Sequence, residues 1–221
     1  MQKTVVAVYT GQGLAEPLKK VFGELLPDCR LVNIVDDSLI HDVIKAGRVT
    51  PQVASRLLSY YRNAADIGAD VILNTCSSVG AVVDQARPFI PVPIVKIDEL
   101  MAREAVARYS RLGVIATLPT TLRPTTELIR AQAEAAGKAV ELFDGLAEGA
   151  YDALVGGRPE DHDRLIRETA ERLSASADAI VLAQGSMARM EVALREATGK
   201  PVYSSPYLGV TAVKRLLEQP A

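Results

Sequence analysis

The sequence predicts an α/β protein of two related lobes, each a parallel sheet covered by helices. Short β-branched apolar runs alternate with longer amphipathic stretches from end to end of the 221 residues, as in strands joined by helical crossovers. Turn and cap residues fall between these runs. The second half of the chain also repeats the first.

Strands are expected at residues 5–9, 31–35, 71–74, 94–95, 112–115, 140–143, 179–183 and 202–203, where β-branched and aliphatic residues cluster. Between the second and third, Val53, Leu57, Leu58 and Tyr61 fall on one face of a helix over residues 51–65. Thr50-Pro51 is its start signal, a hydroxyl cap followed by proline in the first turn. Gly68 closes it, and Gly137 and Gly199 close two later helices. A last helix is expected over residues 208–218.

The repeat is visible residue by residue. Thr4-Val5-Val6-Ala7-Val8-Tyr9-Thr10 resembles Leu112-Gly113-Val114-Ile115-Ala116-Thr117, each ending in threonine before a turn. Gly68-Ala69-Asp70-Val71-Ile72-Leu73-Asn74-Thr75-Cys76-Ser77 matches Ala177-Asp178-Ala179-Ile180-Val181-Leu182-Ala183-Gln184-Gly185-Ser186, and Pro93-Ile94-Val95-Lys96-Ile97 matches Pro201-Val202-Tyr203-Ser204-Ser205. From Thr10 to Thr117, Cys76 to Gly185 and Pro93 to Pro201 the offsets are 107, 109 and 108 residues. The expected lobes are residues 1–97 with 206–221, the last helix packing back on the first lobe, and residues 98–205. Residues 98–107 make the crossing, and with no Pro-, Gly- or Ser-rich linker there the lobes should pack tightly.

Composition narrows the function. Charged residues are 24% of the chain, Lys plus Arg (25) nearly balance Asp plus Glu (27), and no five like charges run together. No nucleic-acid partner is expected. The apolar runs are strand-sized, so no membrane span is expected, and the first residues lead straight into a strand without room for a signal peptide. Two cysteines and two histidines exclude a disulfide framework and make a structural zinc site implausible. A cytoplasmic protein with reduced thiols follows.

In parallel sheets, ligands gather at the loops leaving the carboxyl ends of the strands. Four such loops stand out: Thr10-Gly11-Gln12-Gly13, Asn74-Thr75-Cys76-Ser77-Ser78, Thr117-Leu118-Pro119-Thr120-Thr121 and Gln184-Gly185-Ser186. They hold hydroxyls, amides and glycine, no charge, and each precedes a helix whose free N–H groups suit a carboxylate. Cys76 is the sharpest residue among them. It could be a buried structural cysteine, but its polar neighbours Asn74–Ser78 favour a reactive thiol, with a pKa lowered by the helix it opens. Cys29 lies at the amino end of a strand and reads as structural.

The lobe repeat, the Asn74-Thr75-Cys76-Ser77-Ser78 loop and the Val114-Ile115-Ala116-Thr117 turn with Thr120 resemble the aspartate/glutamate racemase superfamily over essentially the whole chain. Asp36-Asp37-Ser38-Leu39 is a weaker supporting match. That group includes amino-acid and hydantoin racemases, maleate isomerases and arylmalonate decarboxylases. The resemblance implies two pseudo-symmetric flavodoxin-like lobes with a cofactor-independent site in the cleft between them. There two opposed thiols would handle a proton beside the carboxylate of a small substrate. It also implies a homo-oligomer. Such chemistry passes through an enediolate, which needs hydrogen-bond donors. Asn74, Ser77, Ser78, Thr117 and Thr120 could supply them, and Thr10, Gly11, Thr75, Thr121, Gln184, Gly185 and Ser186 complete the expected substrate-binding set, with no metal ligand.

The second lobe departs from that pattern. The position equivalent to Cys76 is Gly185, followed by Ser186. Glycine carries no acid or base, and a serine hydroxyl is a far weaker acid than a thiol, which argues against ordinary two-thiol racemisation. One-cysteine chemistry fits better: decarboxylation with protonation from Cys76, isomerisation through a Cys76 adduct, or carbon–carbon cleavage. Arylmalonate decarboxylases also keep one cysteine, but on the second lobe. A glycine at 185 would open space at the reacting carbon, or simply serve a turn needing positive φ. Racemisation with a non-thiol second acid/base stays open, as does a protein that binds a carboxylate without turning it over.

Other signals are weaker. Gly11-Gln12-Gly13 lacks the third glycine of a dinucleotide fingerprint, Glu16 standing there instead. Asp36 and Asp37 read as helix capping, and His41 and His162 as solvated face residues, although His41 could reach the site. The four loops hold no Lys or Arg, Arg123 being the nearest, which argues against a substrate with a second carboxylate such as aspartate or glutamate.

Overall fold

Val5, Val6, Ala7 and Val8 are each completely shielded from solvent, as happens in a strand at the middle of a sheet covered on both faces. In the computed structural model, which describes residues 2–219, they belong to β1 (Thr4–Tyr9). It pairs in parallel with β2 (Arg30–Val35) on one side and β3 (Val71–Asn74) on the other, and β4 (Ile94–Lys96) follows β3. The strand order is β2-β1-β3-β4. Helices α1 (Ala15–Leu25), α2 (Ser38–Ala46), α3 (Pro51–Asp66) and α4 (Gly80–Ala86) make the crossovers.

The second sheet repeats this plan. After α5 (Glu99–Arg108) come β5 (Arg111–Ala116), α6 (Pro119–Ala135), β6 (Glu141–Leu146), α7 (Ala150–Val155), α8 (Pro159–Ser174), β7 (Ala179–Leu182), α9 (Glu191–Thr198), β8 (Val202–Tyr203) and α10 (Ser205–Leu217). Its order, β6-β5-β7-β8, all parallel, is that of the first sheet. Both follow the flavodoxin-like sequence of second, first, third and fourth strand. The chain divides into two compact units. One runs up to Glu99 and resumes at Pro206, and the other spans Leu100–Ser205.

Strand alternation sorts the first unit's core into two layers. Val6, Val8 and Ile72 pack with Val53, Leu57 and Tyr61 of α3, the face expected from the periodicity. Val5, Ala7, Tyr9 and Leu73 point the other way, onto Leu18 and Phe22 of α1 and Val210 and Val213 of α10. Thr50 caps α3 by accepting the Val53 N–H at 3.3 Å, with Pro51 at the first position. Gly68, Gly137 and Gly199 follow α3, α6 and α9 with φ of 86°, 64° and 66°, as the stop signals required. No helix among the described residues is long and apolar enough to cross a membrane.

Two boundaries differ from expectation. β6 continues past residue 143 to Leu146, pairing Asp144, Gly145 and Leu146 with the central strand β5. An edge strand borrows its pairing from its neighbour, so the apolar pattern can lapse while the ladder continues. At Gly145 a Cβ would stand 2.5 Å from Leu173 Cδ1 of α8, so glycine is what lets that helix lie close. α10 starts at Ser205, three residues early, because Pro206 suits a first turn.

Gly209 sets how closely α10 approaches the first sheet. A Cβ there would lie 2.6 Å from Ile97 Cγ1 and 2.7 Å from Ile97 O. Gly209→Ala should therefore destabilise the protein by about 1–3 kcal/mol from overpacking, despite alanine's better helix propensity. A urea midpoint equal to wild type would show that α10 shifts without cost.

Candidate active site

In the first unit, three strands deliver their next residues to one sheet edge: Thr10 after β1, Cys76 after β3 and Asp98 after β4. Backbone pairing runs beyond the strands. The Thr75 N–H donates to Val8 O at 3.1 Å and the Ile97 N–H to Asn74 O at 3.0 Å. Side chains then brace the loop. Tyr61 donates its hydroxyl to Asn74 Oδ1 at 3.0 Å, and Asn74 Nδ2 donates to Cys76 O at 2.9 Å. Thr75 spends its hydroxyl proton on Val8 O at 3.0 Å. Asn74 and Thr75 thus hold the loop in shape.

Cys76 is partly buried, with extended backbone (φ −124°, ψ 117°). Burial pushes its thiol up, against hydrogen bonds from the Thr10 hydroxyl, the Ser78 amide and hydroxyl and the Val79 amide, each of which favours the thiolate. The net direction is upward, which corrects the expectation of a helix-lowered pKa. A 3₁₀ turn, Ser77–Val79, intervenes, and α4 behind it has only seven residues, so little dipole reaches the sulfur. Tyr61 is likewise pushed up by burial and by the Cys76 charge.

Thr10 is fixed from behind. Its carbonyl accepts the Ile40 N–H at 3.3 Å, and the Asp36 N–H donates to Tyr9 O at 3.0 Å. Gly11, extended at φ −166°, follows with Ile40 beside it. Partial burial pushes the Asp36 carboxyl up, but hydrogen bonds from Tyr60 (2.6 Å), Ser38 and Arg56 outweigh it and hold Asp36 below the usual range. Asp36 also accepts the Ser38 N–H at the start of α2 at 3.2 Å, whereas Asp37, at the cap position itself, makes no capping hydrogen bond and accepts Gln12 Nε2 at 2.5 Å.

Asp98 went unrecognised in the sequence. It is only 2% exposed. Burial pushes its carboxyl up and Glu99 adds to this, while a hydrogen bond with Ser77 and the charge of Lys96 pull it down. Lys96 is itself committed to Asp84 at 2.9 Å. The available signal was register: Asn74 pairs with Lys96, so Asp98 follows β4 as Cys76 follows β3.

The second unit has its own edge. Gln184 Oε1 accepts the Thr117 N–H at 2.8 Å and Gln184 Nε2 donates to Thr117 Oγ1 at 2.6 Å. Gln184 fills an acceptor site of the Thr117 hydroxyl, whose proton remains available for donation. Thr120 Oγ1 is buried without a hydrogen-bond partner, and Thr121 is buried beside it. Gly185 and the exposed Ser186 open the 3₁₀ segment Gly185–Met190. Gly185 does not have positive φ, which overturns the turn reading. Its equivalence with Cys76 is also corrected: Asn74 pairs beside Val8 as Leu182 pairs beside Ile115, so two residues onward Gln184 matches Cys76, each preceding a 3₁₀ segment.

His162 is also corrected. It is 2% exposed, with Nδ1 2.8 Å from Asp163 Oδ1, and Arg189 pairs with the same carboxylate. The first turn of α8 lies against the segment after β7, a contact that helical spacing could not reveal. His41 is exposed on α2. Cys29 precedes β2 at the opposite edge, its thiol pushed up by burial first and then by Asp28 and Asp70. Arg123 is exposed beside Glu127 at 3.5 Å. Among the described residues, no three His, Cys, Asp or Glu side chains are grouped to hold a metal ion.

The family model described as Asp/Glu/Hydantoin racemase matches residues 5–213. A search of curated proteins finds no match. Among solved structures, a glutamate racemase isoform from Bacillus anthracis is 14% identical with a TM-score of 0.75, over 98% of this chain and 82% of that one. Allantoin racemase from Klebsiella pneumoniae is 16% identical with a TM-score of 0.70, over 98% and 88%. A glycine-to-cysteine mutant of arylmalonate decarboxylase is 18% identical with a TM-score of 0.61, over 99% and 94%. At these identities the likeness is one of fold.

Proposed function

The chain belongs to the Asp/Glu/hydantoin racemase family, and from that premise we propose a cofactor-independent isomerase or lyase acting at the carbon α to a carboxylate, with Cys76 as its proton-transfer group. The observation that carries this reading is the state of Cys76. Burial favours the neutral thiol, while four donors stand ready for the thiolate. Such a group is suited to give a proton and then hold the charge left behind.

Decarboxylation uses that property directly. The carbon–carbon bond to the departing carboxylate breaks and its electron pair stays on the substrate as an enediolate. The Cys76 S–H proton passes to the α carbon. Thr10, Ser78 and Val79 stabilise the resulting thiolate until water returns a proton. Racemisation would in addition require a base on the other face, and neither Gln184, which matches Cys76 by strand register, nor Gly185 beside it carries a thiol. The Thr117 and Thr120 hydroxyls are neutral donors of the kind a carboxylate accepts. Lys96 and Arg56 are both paired with carboxylates, which favours a substrate with one retained carboxylate.

Incubation in D2O with α-substituted acids, amino acids, malonates and maleate tests the proposal. The expected result is CO2 release from a malonate, with one deuterium at the new C–H. Deuterium uptake into recovered amino acid without CO2 would favour racemisation through a non-thiol partner. Binding of a carboxylate with no reaction anywhere in the panel would overturn the enzymatic reading.

A further inference from the structure

The buried carboxyl of Asp98 takes no part in the chemistry above, yet it stands beside the Cys76 loop. In the parallel register Asn74 faces Lys96, and the Ile97 N–H extends the ladder to Asn74 O at 3.0 Å. Two residues onward from that pair the chain reaches Cys76 and Asp98, each just past the end of its strand. Asp98 is 2% exposed and Ser77 8%, and the two are hydrogen-bonded. Ser77 begins the 3₁₀ turn whose next two amides, Ser78 and Val79, face the Cys76 sulfur.

We infer that Asp98 is a positioning residue: by holding the Ser77 hydroxyl it fixes the turn that aims the Ser78 and Val79 donors at Cys76. A buried carboxyl costs stability unless it is well hydrogen-bonded, and here its hydrogen bond is made to the first residue of that turn. Lys96 from β4 and Glu99 at the start of α5 are the charged groups that act on it, Lys96 being shared with Asp84, and Tyr61 of α3 stands on the Cys76 side. The inference rests on the reading of Cys76 as the proton-transfer group, but its test does not depend on turnover.

In a Cys29→Ser background Cys76 is the sole thiol, so the pH dependence of its alkylation by iodoacetamide reports its thiolate directly. Loss of a negative charge alone would move that midpoint down in Asp98→Ala. Loss of the aimed donors moves it up, and we expect a rise of about one pH unit, a tenfold smaller thiolate fraction at fixed pH. Asp98→Asn keeps an acceptor for Ser77, and its midpoint should not rise above the parent's. Ser77→Ala, which removes only the hydroxyl, should rise with Asp98→Ala, and it decides the question if Asp98→Ala does not fold. Turnover on the best substrate should fall about tenfold in kcat with KM little changed. A midpoint that is unmoved or lower in both alanine variants, or an asparagine variant that rises as far as alanine, overturns the inference. If Cys76→Ala keeps its activity while the midpoints shift as expected, the proposed chemistry fails and the positioning role stands.

Discussion

Cys76→Ala should lower turnover by about 10²–10⁴-fold, the range that a positioned general acid contributes, and leave the fold intact. The thiol is only partly buried, at the margin of the α3-side core, so the lost sulfur should cost no more than about 1–2 kcal/mol. Thr10, Ser78 and Val79 would then face a methyl group and stabilise nothing. Cys76→Ser is the sharper control, because it keeps a polar atom there but offers a far weaker acid, and it should be nearly as inactive. The measurement is kcat for the best substrate of the panel, alongside a urea melt. Activity within tenfold of wild type in the folded alanine variant would remove Cys76 from the mechanism. Unchanged carboxylate affinity without turnover in either protein would leave a binding protein.

Gly185→Cys should add a reaction. The sequence repeat sets residue 185 at the place of Cys76, one residue past Gln184, which the strand register puts there, and its backbone lacks the positive φ that would penalise a side chain. Gln184 (φ −113°, ψ 132°) precedes a 3₁₀ segment as Cys76 does, and Gly185 opens it. With a thiol in each half of the repeat, α-proton exchange and racemisation should rise by about 10²-fold over wild type, since each positioned acid or base contributes on that order. Chiral chromatography and deuterium wash-in read the two separately. The gain should vanish when Cys76→Ala is added. A folded Gly185→Cys protein with no gain on any acid tested would mean that the missing thiol does not explain the departure from two-thiol chemistry.

Features that depend on local chain chemistry were legible in the sequence. Val5–Val8 announces a buried central strand, Thr50-Pro51 starts α3, Gly68 ends it, and the repeat duplicates the plan. Donor-rich loops after β1, β3, β5 and β7 followed from strand direction alone. Features that depend on what lies across space were not. Asp98 looks like an ordinary acid after a strand until the register sets it beside Ser77. His162 has the spacing of a surface residue, yet it is buried, with Arg189 beside it. Cys76 reads as a reactive position, and the upward push that burial gives its thiol does not show in the sequence, because the cost of burial is set by the packing around it. Asn74 and Thr75 read as substrate donors, whereas Asn74 Nδ2 donates to Cys76 O and the Thr75 hydroxyl donates to Val8 O.

The return of α10 to the first unit bears on the order in which the protein is made. Val210 and Val213 belong to the same apolar layer as Val5 and Tyr9, so that layer is completed only by residues made after the second unit. The unit spanning Leu100–Ser205 is continuous and draws on a single uninterrupted stretch of chain. Vectorial synthesis ordinarily lets the amino-terminal unit fold first. Here the unit begun first is completed last: α1 covers part of that layer, and the rest waits for α10.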